Sequence, residues 1–264
     1  MKGWTAVRAV LGIDAAWTST QPSGVALVVG RPKGWQLFAV ASSYQGFQAL
    51  AGTTKLPPVG LACQLIAAAK ALCCRSVDLV AIDIPLARSP ICARRVSDDA
   101  VSKKYGGRWC STHSPNASRP GRISDDLRQG FERAGYPLQT GMVEPPGVIE
   151  VYPHPALVEL AGAAKRLPYK AAKVSRYWPS AALPERRACL YRTWNEIVAL
   201  LQNEIAGVTA KLPQPDMNAK GVEVKAYEDA LDAVICAWVA VCALEGRARA
   251  FGDDQSAIWI PSRR

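Results

Sequence analysis

Several acidic side chains stand where an ionised carboxylate is costly. Asp14 follows the apolar run AVRAVLGI of residues 6–13, and Asp83 lies near the end of a second apolar run, VDLVAIDIP. In YEDALDAVICAWVA, Asp229 and Asp232 are spaced i and i+3, which places them about 5–6 Å apart on one face of a helix. Glu150 sits between Ile149 and Val151 in GVIEVYPHP. A buried charge of this kind has to be paired, hydrogen-bonded or bound to a cation. Carboxylates that converge without a counter-ion repel by on the order of 4 kcal/mol per pair at about 4 Å and an intermediate dielectric. A divalent cation removes that penalty, and an all-oxygen ligand set selects Mg2+ or Mn2+ over zinc. Two such ions about 3.5–4 Å apart activate a water and stabilise the leaving oxygen during attack on a phosphodiester. The expectation is a catalytic set of Asp14, Asp83, Asp229, Asp232 and Glu150, with the four aspartates as metal ligands.

Positive charge follows the second acid directly. Arg88, Arg94, Arg95, Lys103, Lys104 and Arg108, with Arg119 and Arg122 beyond them, cluster after the Asp83 strand, where phosphates would bind. A charge run is ordinarily a solvated face, and its place beside the acids is what points to nucleic acid. His113 and His154 are the only histidines; either can move a proton near neutral pH, and its motif favours His154 for that role. Trp17 and Trp109 lie near enough to these motifs to stack on a base. Cys110 with His113 is the one zinc-like grouping, with Cys92 or His154 as further candidates, but no second pair at matching spacing completes a structural site.

These residues need elements to position them. AVRAVLGI reads as a buried central strand, the polar turn Thr18 to Ser23 follows, and GVALVVG and WQLFAVAS continue as two more strands of an antiparallel meander. Residues 59–74 carry leucines and alanines at helical spacing, and VDLVAIDIP is apolar enough to be a strand covered on both faces. GVIEVYPHP supplies a fifth strand, and helices are predicted over 155–162, 184–206 and 225–246. Residues 86–146 break the pattern. They are rich in Arg, Ser, Gly and Pro, with short helical candidates near 92–104 and 124–134, and read as a basic insertion over one edge of the sheet.

Composition bounds the rest. A chain of 264 residues, 49% of them hydrophobic, is read as one α/β domain spanning 1–264. The formal charge of +10 favours a polyanionic partner. With no run of eighteen apolar residues and no signal-peptide pattern, no membrane partner is expected and the location is read as cytoplasmic. Eight cysteines without a CxxC repeat read as reduced thiols.

GIDAAW, AIDIPL, EVYPHPALVEL and EDALDA, in that order, with ICARRVSDDA after the fourth strand, resemble the DUF429 family, whose members are regarded as nucleases of the ribonuclease H-like, RuvC-like fold. The resemblance runs over nearly the whole chain. It implies a mixed sheet of a three-strand antiparallel meander plus two parallel strands, flanked by helices. It also implies that Asp14, Asp83 and Asp229 are the shared catalytic carboxylates, that Asp232 is a fourth ligand as in RuvC-like resolvases, and that Glu150 is auxiliary. A RuvC-like enzyme is expected to act as a homodimer, although no coiled-coil seam is legible. Two rival readings keep the acids but change the function. One is a non-catalytic scaffold that grips nucleic acid. The other is an actin-like phosphotransferase using DAAWTSTQPSG as a phosphate turn, for which a second Gly-rich loop and a duplicated half are missing.

Overall fold

The computed structural model describes residues 8–18, 20–52 and 60–262. Ala6 and Val7 of the first predicted strand, Ser19 of the predicted turn and Val59 of the first predicted helix lie outside them. The strands are β1 (Ala9–Asp14), β2 (Gly24–Arg31), β3 (Gly34–Ala41), β4 (Leu79–Ile82), β5 (Gly147–Val151), β6 (Ile205–Ala206), β7 (Ala248–Gly252) and β8 (Ala257–Pro261). They form one sheet in the order β6-β3-β2-β1-β4-β5-β8-β7. β1, β2 and β3 pair antiparallel, while β4 runs parallel to β1 and β5 parallel to β4. That is the expected ribonuclease H-like core sheet of a meander plus two parallel strands. It is extended at one edge by a β8–β7 hairpin and at the other by the short β6, neither of which the sequence pattern predicts.

Nine α-helices are present among the described residues: α1 (Tyr44–Leu50), α2 (Leu61–Cys73), α3 (Val96–Tyr105), α4 (Arg122–Arg133), α5 (Pro153–Ala161), α6 (Val174–Tyr177), α7 (Leu183–Glu204), α8 (Val208–Lys211) and α9 (Gly221–Leu244). Side chains alternate across the sheet with period two. Val10, Leu79, Ala81, Ile149 and Val151 pack with α5, α7 and α9 on one face. Leu11, Ile13, Val80, Ile82 and Val148 pack with α2 and α4 on the other. Covering on both faces is why β1 and β4 read as continuous apolar runs. None of the described helices is long and apolar enough to cross a membrane.

Helix α9 decides where the acids meet. It begins where the Glu223 carboxylate turns back to accept the Lys220 backbone N–H at 2.7 Å, and it lies almost on the backbone of β1 and β2. A Cβ on Gly12 would stand 2.2 Å from the Ala233 carbonyl oxygen, and one on Gly24 would stand 2.0 Å from that of Asp229. Two glycines therefore permit a helix–sheet approach that no side chain allows.

The segment 86–146 does not sit over one edge alone. Its α3 packs on β7 and β8, whereas α4 packs on α2, and Phe131, Tyr136 and Leu138 are part of the core beneath β4. Of its basic residues Arg95 is buried and Arg108 half-buried, whereas Arg88, Arg94, Lys103, Lys104, Arg119 and Arg122 stay exposed.

Candidate active site

Parallel pairing of β1 with β4 aligns Ile13 with Ile82, and the Asp83 N–H donates to the Ile13 carbonyl at 2.9 Å. Asp14 and Asp83 are therefore neighbours at the C-terminal ends of two adjacent central strands. By the period of two they share the face that α9 covers, since Ile13 and Ile82 belong to the opposite face. Across from them α9 presents Glu228, Asp229 and Asp232, all buried. Asp14, Asp83 and Asp229 line one cleft of about 480 Å³, together with Trp17, His113, Arg119, Lys170 and Lys225.

The hydrogen bonds divide these acids into two groups. Asp232 has both oxygens engaged, one accepting the Tyr169 hydroxyl at 2.8 Å and the other paired with the Lys170 ammonium. Glu228 accepts the Ala171 N–H at 2.6 Å and stands 3.6 Å from Lys170 Nζ and 3.4 Å from Lys225 Nζ. Asp229 pairs through Oδ1 with Lys225, while its Oδ2 is buried with no partner. Asp14 and Asp83, half-buried in the cleft, form no side-chain hydrogen bond or ion pair with the described residues.

Protonation follows from that division. Burial, and then the charge of Asp232, push Asp14 well above the ordinary carboxylate range, with Lys170 offsetting only part of it. Burial likewise raises Asp83 to about 8 against the relief that Lys170 gives. Asp229 is raised by burial despite Lys225. Burial alone would lower Lys170, but Asp232 foremost among its neighbours reverses this and keeps the ammonium charged. Asp14 and Asp83, which resist ionisation, are short of positive charge beside them.

Among the described residues, no three acidic, histidine or cysteine side chains stand close enough to chelate one ion as placed. Lysines neutralise the acids of α9 instead. The oxygens left over, those of Asp14 and Asp83 in the cleft and the buried Oδ2 of Asp229 beside it, are nevertheless hard donors of the kind Mg2+ or Mn2+ takes. Asp14 and Asp83 would be the two carboxylates of such an ion, with water and phosphate completing its shell, and Asp229 would join them only if Lys225, which is half exposed, yielded its place.

Glu150 is not brought into the cleft. Its parity on β5 matches Val148, opposite to that of Asp83, and Arg95 holds it at 2.5 and 2.8 Å while the Leu86 N–H donates to it at 2.7 Å. Burial still raises its carboxyl to about 7 against the pull of Arg95. Arg95 in turn is buried, with its N–H groups directed to Glu150, Asp98 and the Leu86 carbonyl. A guanidinium so engaged has no donor left for a phosphate. Arg94 is tied to Asp99 and to the 112–114 loop, Arg108 to Glu159 and the Ala163 carbonyl, and Arg88 to the Asp254 carbonyl. Lys103 and Lys104 are exposed on the last turn of α3.

His154 is buried between the rings of Tyr152 and Tyr169, each 5.3 Å away, with Nδ1 unpartnered. Burial, followed by Arg166, holds it neutral far below the usual histidine range. The histidine in the cleft is His113, whose ring meets the edge of Trp17 at 6.4 Å, while the Arg119 guanidinium lies 5.7 Å from the same indole. Lys170, Lys225, Tyr169 and Glu228 were not legible as site residues. Lys170 lies in an irregular, Pro-containing stretch without spacing, and only the proximity of Lys225 and Glu228 to Asp229 along α9 offers a signal.

Likeness to known proteins adds a family to this geometry and nothing finer. No curated protein and no solved structure matches the chain. The family described as "Protein of unknown function (DUF429)" matches residues 12–257, from within β1 to the start of β8 and across all the acids above, and the chain belongs to that family.

Proposed function

We propose that the protein is a nuclease that hydrolyses phosphodiester bonds of nucleic acid in the presence of Mg2+ or Mn2+. One observation carries the reading. Carboxylates from three separate elements, Asp14 on β1, Asp83 after β4 and Asp229 on α9, line one cleft with unpartnered oxygens and raised pKa values. An ion held by these three residues would supply Lewis acidity at the phosphate and an acidified water. Arg119 and Lys170 offer positive charge to the phosphate, and Trp17 offers a flat face to a base. His113 lines the cleft and is pushed below its usual range by burial and then by Lys173. It is therefore neutral at pH 7 and placed to accept or return a proton.

The lysine pairing of α9 is the feature that favours a second reading, a scaffold that binds nucleic acid without cutting it. The two separate in one experiment. Labelled single-stranded, duplex, hybrid and branched substrates are incubated with Mg2+ or Mn2+ and either the wild type or Asp83→Asn. Metal-dependent cutting by the wild type alone supports the nuclease and identifies its substrate. Tight binding by both proteins without cutting overturns it in favour of the scaffold.

A further inference from the structure

Lys170 is held in place from both sides along the chain. Tyr169 before it is fixed twice, by its hydroxyl to Asp232 at 2.8 Å and by its carbonyl, which accepts the Trp194 indole N–H at 2.8 Å. Ala171 after it is fixed by its N–H to Glu228 at 2.6 Å. The backbone on both sides is thus tied to α7 and α9, and the ammonium is delivered between Asp232 and Glu228 while still lining the cleft. Lys225 differs, because it is half exposed on the first turns of α9.

The oxygens available to a metal are correspondingly few. Asp232 and Glu228 have theirs engaged by Tyr169, Lys170, Ala171 and Lys225, and Asp229 is paired through Oδ1 with Oδ2 buried, whereas those of Asp14 and Asp83 remain in the cleft. Those two carboxylates, at the ends of neighbouring strands, would be enough for one octahedral ion whose shell is completed by water and phosphate oxygens. A second ion would need Asp232, whose carboxylate is already neutralised. A lysine ammonium is a compact point charge able to serve a phosphate oxygen as an ion does, without coordinating it.

Resting on the nuclease reading, we propose that this site takes one divalent ion and that Lys170 is a built-in replacement for the second. Asp232 then acts as the anchor of Lys170, and the pair expected from the sequence becomes one ion and one ammonium.

The test counts Mn2+ bound to the full chain by isothermal titration, with electron paramagnetic resonance to detect spin coupling between neighbouring ions. Wild type is expected to bind one Mn2+ in the cleft without a coupled signal, and Asp83→Asn to lose it. Lys170→Met, which keeps the stem and removes the charge, is expected to bind two with a coupled signal, and Lys170→Arg to remain at one. Two coupled ions in the wild type overturn the proposal while leaving the nuclease intact, as does a folded Lys170→Met that still binds one. Should Lys170→Met fail to fold by circular dichroism, the wild-type count and the absence of coupling decide alone. No Mn2+ bound by the wild type, with or without a nuclease-resistant phosphorothioate strand, overturns the metal-dependent reading itself.

Discussion

Asp83 carries a carboxylate whose ionisation the metal-free fold opposes. Its pKa of about 8 lies above the ordinary 3.8, so the native chain keeps a proton that the unfolded chain has released. Stability from this group is complete below about pH 4 and is lost as pH rises from about 4 to about 8. Asp14 and Asp229 shift in the same direction. His154, held neutral by burial, acts oppositely and withdraws stability only as pH falls below its ordinary 6.5. Asp83→Asn removes the ionisation. The metal-free variant is expected to melt several degrees above the wild type at pH 8 and to show a flatter Tm-against-pH profile, while cleavage falls at least ~100-fold. Differential scanning calorimetry in EDTA checks the first part, and an unchanged or lower Tm at pH 8 contradicts it. Glu150→Gln is expected to behave in the reverse way. Arg95 then keeps Asp98 as its one buried carboxylate, which costs about 1–3 kcal/mol, yet cleavage per folded molecule stays within a few-fold of wild type; urea denaturation and active-fraction kinetics separate the two effects. Asp14 and Asp83 were legible because a charge at the end of an apolar run is conspicuous. Glu150 was equally conspicuous, but the face it takes depends on strand register, and its partner Arg95 is 55 residues away.

At the scale of elements, what brings the acids together is the closeness of α9 to β1 and β2. Gly24 is the sensitive point, because a Cβ there would stand 2.0 Å from the Asp229 carbonyl oxygen, a backbone atom that cannot rotate away. Gly24→Ala therefore pushes the helix outward at the turn that carries Asp229, away from Asp14 and Asp83. Misplacing a reacting group by about 1 Å costs on the order of 100-fold in rate. The expected variant keeps the far-UV circular dichroism of the wild type and loses cleavage and Mn2+ affinity together; full activity would mean the helix position is not critical. The strands and helices around this packing were readable from their periods: β1, β4 and β5 as apolar runs, and α7 and α9 close to their predicted bounds. The β8–β7 hairpin was not, since AIWIP after a long helix is too short to show a period. It is held by parallel pairing to β5 at Glu150 and Val151, a tertiary interaction without a local signature. The glycines were equally silent, because nothing in GIDAAW or PSGVAL states which helix will lie on them.

Over the whole molecule the formal charge of +10 favours a polyanion, but the structure redistributes which cations can meet one. Arg95 and Arg108 hold the 86–146 segment to the rest of the fold, and Arg94 ties that segment to itself through Asp99 and the Thr112 carbonyl. Arg119 is exposed at the cleft over Trp17, and Lys173 and Arg166 join it in lowering the pKa of His113, after burial. Arg119 lines the cleft with the acids and the other two act on its histidine, so on the proposed function these are the cations that a phosphate backbone would meet. Counterion release makes the contribution of each countable. Each phosphate that the protein no longer neutralises flattens the plot of log K against log salt by about 0.9 for duplex DNA or about 0.7 for a single strand. Arg119→Ala and Lys173→Ala are each expected to reduce the slope by about that amount, measured by fluorescence anisotropy in EDTA so that no cutting intervenes. Arg94→Ala and Arg108→Ala are expected to leave the slope unchanged while lowering Tm. The opposite result, a slope that responds to Arg94 and Arg108 but not to Arg119 and Lys173, would mean that nucleic acid lies along α3 and away from the carboxylates. The bound strand would then be out of reach of Asp14, Asp83 and Asp229, and those acids would have no phosphodiester to act on.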